Sequence, residues 1–398
     1  MSKTKITILL TVFIDVIGLG VVIPILPFYV SGFSKSALLI TSLFAVYALC
    51  SFFSAPVLGA LSDRIGRRPV LIMSIFSTAI GWFVFAGAPN ILFLFIGRII
   101  DGVMAGNFPI AQSYLSDLAK DDKERTVNLG VIGAVFGIGF IVGPSLGGVL
   151  GHFGHSVPFW FVGALALTNG VLAYFILPET HKNLSTRAIT INPFIPLLRA
   201  VKSYALRGNY LAWFLFGLAI ASFQSIFSLY MRDVFYFNEL IVGFVFAAIG
   251  VIIAINQGLA MKHIWLKYFK EPTLELLMLI VFVVGFLFLN TKTFLIFALA
   301  LVLTTFGQSI LRVVMTSQVV GQTPVHERGE VLGILASITS LSMTISPFLS
   351  GIMFDANKSM PFLFSALCLL LAFWVLYRKR KNLTQLELPE DVPMDSMI

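Results

Sequence analysis

Apolar positions in this chain fall in long unbroken runs and do not alternate with polar ones. "LFLFIGRII" and "LLMLIVFVVGFLFL" are apolar on every side. Crossing a bilayer takes about 20 such residues as a helix, and twelve runs approach or exceed that length. Bounded by charges, glycine or proline, they lie near 6–30, 38–60, 70–88, 91–117, 129–152 and 157–177, then near 210–232, 239–261, 273–290, 294–320, 330–354 and 360–378. Lipid offers backbone groups no partner, so membrane spans are helices or closed barrels, and barrel strands alternate polar with apolar residues. The pattern therefore predicts an all-α membrane protein with twelve transmembrane helices. The opening "MSKTKITILLTVFIDVIGLG" has the positive-then-apolar order of a signal peptide, but Asp15 interrupts it and no small-x-small site follows. It reads as a retained first helix.

Composition agrees. Of 398 residues, 58% are hydrophobic and 12% charged, against about a quarter charged in soluble domains. Cys50 and Cys368 both lie inside apolar runs, as packing residues do. The net charge of +8 comes from lysine and arginine in alternate loops, biased about five to one toward one side, which predicts cytoplasmic N- and C-termini. Topology and attraction to anionic lipid account for that charge without nucleic acid.

An internal repeat divides the chain. Glu124-Arg125, Leu129-Gly130, Pro144 and Ser156-x-Pro158-Phe159-x-Phe161 recur, at one constant offset, as Glu327-Arg328, Leu332-Gly333, Pro347 and Ser359-x-Pro361-Phe362-x-Phe364. Six spans separate the copies, so the halves have the same orientation and a site between them is expected. This gives an N-terminal six-helix bundle (1–178), a cytoplasmic linker (179–208) with a short surface helix, a C-terminal six-helix bundle (209–380) and a polar, disordered cytoplasmic tail (381–398).

Between the second and third runs stands "GALSDRIGRRP", with Gly59, Asp63, Arg64, Gly66, Arg67 and Arg68. It resembles the signature of the major facilitator superfamily, G-x-L-S-D-R-x-G-R-R-P. Glycines here permit close approach and a tight turn, and Asp63 can accept from Arg67 or from a helix N-terminus in the other half, a contact made in one state only. "GIGFIVGPSLGG", with Gly139, Gly143, Pro144, Gly147 and Gly148, is similar to the antiporter motif of drug/proton antiporters in that superfamily. Arg98-Ile-Ile-Asp101-Gly102 resembles the arginine motif of the same group. Helix 1 "FIDVIGLGVVIPILP" and "SDLAKDDKER" resemble the bacterial tetracycline-efflux branch. The resemblance implies two six-helix bundles, proton-driven efflux by alternating access, a bacterial inner membrane and a monomer, with no cofactor beyond the proton gradient. It also implies acids in helices 3 and 9. Helix 3 here has none, and the acids of helix 9, Glu271 and Glu275, stand at its start.

Charges within hydrocarbon are costly and mark function. Asp15 lies about 15 Å into helix 1, near the midplane. Arg98 and Asp101, three apart, share a helix face. These three are candidates for proton coupling. The alternatives are a permanent Arg98–Asp101 salt bridge and, for Asp15, a bond to a neighbouring helix. Arg312 either faces the cavity or snorkels to the interface. Gln224, Asn256, Gln257 and Gln308 are candidate cavity residues. Pro24 and Pro27 bend or terminate the outer end of helix 1. His152 and His155, without a third ligand, give no metal site.

No G-x-x-x-x-G-K-[ST] loop is present, so ATP is not expected as the energy source. No interfacial pairing of histidines or carboxylates suggests an enzyme. The expectation is a transporter exchanging protons for a small amphipathic drug or metabolite. A dedicated metabolite or siderophore carrier of the same fold is the alternative.

Overall fold

The computed structural model describes residues 3–119, 121–180, 192–324 and 327–387. Among the described residues, twelve helices are long and apolar enough to cross a membrane: α1 Lys3–Val30, α2 Ala37–Ile65, α3 Arg67–Ala86, α4 Ile91–Asp117, α5 Asp122–Gly151, α6 Val157–Ile176, α7 Arg207–Phe235, α8 Glu239–Tyr268, α9 Glu271–Leu289, α10 Phe294–Gly321, α11 Arg328–Ala356 and α12 Met360–Glu387. Two depart from plain helix. α4 breaks between Val103 and Asn107, and α8 widens into π-helical turns over Asn256–Trp265. The short linker helix Ile195–Lys202 is observed, while linker residues 181–191 and tail residues 388–398 lie outside the described residues. α12 continues as helix past the expected boundary at 380, where the basic cluster anchors it: Lys379 binds Asn209 and Arg380 binds Glu275.

The repeat is visible as matched packing. α1 lies on α5 as α7 lies on α11, and α3 meets α4 and α6 as α9 meets α10 and α12. Two pairs carry most of the packing between the halves, α5 with α8 and α2 with α11. Among the described residues, the hydrogen bonds and ion pairs joining transmembrane helices of different halves lie at one end. There Ser228 Oγ donates to Pro24 O (2.7 Å), Arg232 donates to Pro27 O, and Asp355 accepts from Ser36 Oγ, Ala37 N and Leu38 N at 2.8, 2.8 and 3.1 Å. His152 Nδ1 and His155 Nε2 each stand 3.9 Å from a Glu239 carboxylate oxygen at that end. The halves separate toward the other end, where Gly133 and Gly137 of α5 line open space.

Asp355 of α11 caps the N-terminus of α2 across the two halves and so ties them together at this end. Asp355→Asn should weaken closure by about 1 kcal/mol, a roughly fivefold shift toward opening. Spin-label distances between the first turn of α2 and the last of α11 would show it as a longer-distance population; an unchanged distribution would remove Asp355 from gating.

Candidate functional site

The motif between α2 and α3 is the first site the fold makes legible. A loop was expected, but both helices run up to a single residue, Gly66, whose φ of 106° only glycine adopts without strain. The turn aims the first N–H groups of α3 at Glu179, which accepts from Arg67 N at 3.0 Å and Arg68 N at 3.1 Å. A Cβ on Gly66 would collide with that carboxylate. Arg67 reaches Asp63 Oδ1 (2.6 Å), Ser62 Oγ (2.6 Å) and Asp117 Oδ2 of α4 (3.3 Å). Arg68 donates to Tyr174 O at 2.7 Å. Arg64 is exposed and Gly59 faces open space, and among the described residues Asp63 pairs with Arg67 of its own half and with nothing in the other. Gly66→Ala should cost about 1–3 kcal/mol, measured as a lower unfolding midpoint; an unchanged midpoint would show that the turn relaxes freely.

The second site is a cavity of about 430 Å³ between the halves. Its walls are largely apolar, from Leu19, Val22, Ile23 and Leu26 of α1, Phe136 and Phe140 of α5, and Ile253 of α8. Gln224, Gln257, Gln308 and Arg312 all line it. Arg312 is exposed, and of the two placements open to it the lining position is the one observed. Asn256 is corrected: it is buried, donates to Ser309 Oγ and accepts from Trp265 Nε1 at 2.6 Å, holding the widened segment of α8 together. The change of helical pitch at Asn256 separates it in role from its neighbour Gln257, whose Nε2 donates to Ser309 O at 3.0 Å from within the cavity wall.

Arg98 lines the cavity from the N-terminal half. Its guanidinium lies over Trp82 and Phe85, 4.3 and 4.6 Å from the ring centres, with Tyr47 at 5.9 Å. Asp101 Oδ2 is 3.7 Å from Arg98 Nη1, an ion pair beyond hydrogen-bond length, and Arg98 Nε and Nη2 have no partner. Both residues are buried. Asp15 and Asp101 are absent from the cavity wall. They lie behind it. Asn107, first residue after the break in α4, donates from Nδ2 to Asp15 Oδ1 at 2.8 Å and to Thr78 Oγ1 at 3.1 Å, and Thr78 stands beside Asp101. Sequence reasoning did not find Asn107 or Thr78, because uncharged polar residues in apolar helices are common.

Gly139, Gly143, Pro144, Gly147 and Gly148 set how the halves meet. Gly143 rests on Gly20 of α1, while Gly148 on the other face meets Glu239 O and Gly243 of α8. Gly139 and Gly147 pack against Val16 and Val21 of α1, and Pro144 touches both Gly20 and Gly243. α5 is thereby pressed backbone-to-backbone between its own half and the other.

The family profile of the Major Facilitator Superfamily matches residues 8–292 and 264–392. The chain belongs to this superfamily. It is 29% identical over 371 residues to the class C tetracycline resistance protein of Escherichia coli, covering 90% of this chain and 91% of that protein. It is 25% identical over 390 residues to multidrug resistance protein 2 of Bacillus subtilis (strain 168), covering 96% and 97%. Among solved structures, a bacterial homologue of the human lysosomal transporter Spinster, in an inward-facing and unoccupied conformation, superposes with a TM-score of 0.78 at 14% identity, covering 97% of this chain and 99% of that one. As a superfamily member with efflux relatives, this chain is a transporter and not an enzyme.

Two further residues that build these sites, Glu179 and Asp355, had escaped the sequence reading. Each is an acid just beyond or just inside a helix end, and only the folded arrangement shows which helix N-terminus it caps.

Proposed function

We propose that this protein exports a small amphipathic compound in exchange for protons, by alternating access. The observation that carries the reading is the placement of Asp15 and Asp101: two carboxylates sit behind the wall of the central cavity, Asp15 held by Asn107 and Asp101 paired with Arg98, which lines the cavity. Such groups in hydrocarbon are expensive to keep unless they carry protons or cargo. The relatives' names, tetracycline and multidrug resistance, support outward transport of drugs.

The basic asymmetry of the loops supports cytoplasmic termini, which makes the open end cytoplasmic and this state inward-facing. On this reading the outer end is held by Asp355, Ser228, Arg232 and the α5–α8 crossing, and all of these part when the cavity opens outward. The loop of Gly59, Asp63, Arg64, Gly66, Arg67 and Arg68 is the inner latch, tied back to Asp117 while the inner end is open. A chain with both halves is a complete unit, working as a monomer in a bacterial inner membrane.

The test uses everted membrane vesicles acidified by respiration, followed with a pH-sensitive dye and challenged with tetracyclines, lipophilic cations, fluoroquinolones and siderophores. A compound that dissipates the gradient only when the protein is present establishes proton antiport. If none does, with the protein inserted and folded, dedicated carriage of a metabolite replaces drug export.

A further inference from the structure

The charges facing the cavity have one sign. Among the described residues lining it, the charged ones are Arg98 and Arg312, and no carboxylate lines it. Arg98 is already engaged with two aromatic faces and Asp101. Arg312 is different: it is exposed to the cavity, and no hydrogen bond or ion pair of its guanidinium is found among the described residues. One helical turn earlier on α10, Gln308 lines the same wall with its amide likewise unengaged. Gln257, fixed to Ser309 O, ties the widened segment of α8 to α10 at this level.

A guanidinium in a low-dielectric cavity is tolerated while water fills the open end. When both ends close around cargo, that water is displaced and the charge requires a partner. Among the described residues, neither half supplies one at Arg312. The geometry points to the cargo itself as the source: Arg312 with Gln308 forms a subsite for an anionic group, a carboxylate or similarly planar oxyanion, on an otherwise apolar molecule held by the aliphatic and phenylalanine walls. Guanidinium donors match two carboxylate oxygens at once, and the Gln308 amide adds a neutral donor alongside. The substrate class is therefore amphipathic organic anions, including the anionic part of zwitterions. Asp15 offers the cargo no negative partner at the wall, because Asn107 holds it behind. This inference rests on the reading of the cavity as the cargo site and not on the coupling of transport to protons.

The experiment is equilibrium calorimetry on the full chain in lipid nanodiscs with three probes of one skeleton: naphthaleneacetate, its neutral amide and naphthylethylammonium. Wild type should bind the carboxylate about tenfold or more tightly than the amide, with the ammonium weakest. Arg312→Gln should abolish the difference between carboxylate and amide while leaving amide affinity unchanged. Arg312→Lys should keep part of the preference, which separates a charge effect from a folding defect. Absence of the carboxylate preference in wild type, including absence of binding by all three probes, or its persistence in Arg312→Gln, overturns the proposal. Because the measurement is made at equilibrium without a gradient, its failure leaves proton antiport intact. Conversely, a carboxylate preference in a protein that dissipates no gradient removes the antiport reading and keeps the subsite.

Discussion

Asp101→Asn should leave the protein folded and inserted, still able to bind cargo, and unable to dissipate a pH gradient when cargo is added to everted vesicles. The expected signal is that of vesicles lacking the protein. Asp101 is the acid through which the charge network touches the cavity wall: it lies 3.7 Å from Arg98, and Arg98 lines the cavity. A permanent structural salt bridge would be short, with the guanidinium donors satisfied. Here the pair is beyond hydrogen-bond length and two guanidinium nitrogens have no partner. That geometry leaves the carboxylate free to exchange a proton with little rearrangement. Removing one partner of a buried ion pair commonly costs about 3–5 kcal/mol, but the aromatic cradle of Trp82 and Phe85 continues to hold Arg98, so the cost here should fall below that range. Asp15→Asn, on the far side of Asn107 and Thr78, is expected to reduce proton movement as well. Full gradient-driven transport by Asp101→Asn would place the proton elsewhere, and loss of folding would return the pair to a structural role.

What the sequence revealed and what it hid follow from the physics of helices in lipid. Twelve spans were legible because lipid permits almost no polar interruption, so length and apolarity mark each helix. The repeat was legible because paired elements such as Pro144 and Pro347 keep a constant offset, and in the fold α1 packs on α5 as α7 packs on α11. Facing was harder to read. An apolar helix in a membrane has no dry side and wet side, so periodicity could not separate cavity, neighbour and lipid. Asn256 and Gln257 show this: adjacent amides read alike, yet the widened turns of α8 bury one against Ser309 and Trp265 and leave the other in the cavity wall. Contacts made by backbone groups were hidden for the same reason. Nothing local to Glu179 shows that Gly66 turns two N–H groups toward it.

Gly148→Val should open the closed end and stop transport with little change in the unfolding midpoint. A Cβ at Gly148 would stand 2.9 Å from Glu239 O and 3.2 Å from Gly243 Cα, and one at Gly243 would be 2.6 Å from Pro144 O. The branched side chain cannot be absorbed by a rotamer change, because the obstacle is backbone. Overpacking of this kind costs about 1–3 kcal/mol. The strain lies between α5 and α8, which belong to different halves, so rotating the halves apart at that end relieves it without unfolding either. Gly143→Val on the same helix provides the contrast. Its Cβ would meet Gly20 Cα of α1 at 2.9 Å, a contact within one half that persists in every state, so its strain cannot be relieved by gating and should lower the unfolding midpoint. Accessibility of a cysteine placed at Ser228 to a membrane-impermeant thiol reagent reads the closed end directly. It should rise in the Gly148→Val background and stay low in the Gly143→Val background. Equal loss of stability in both, with no change in accessibility, would show that the glycines of α5 serve packing alone and that the closed end is governed elsewhere.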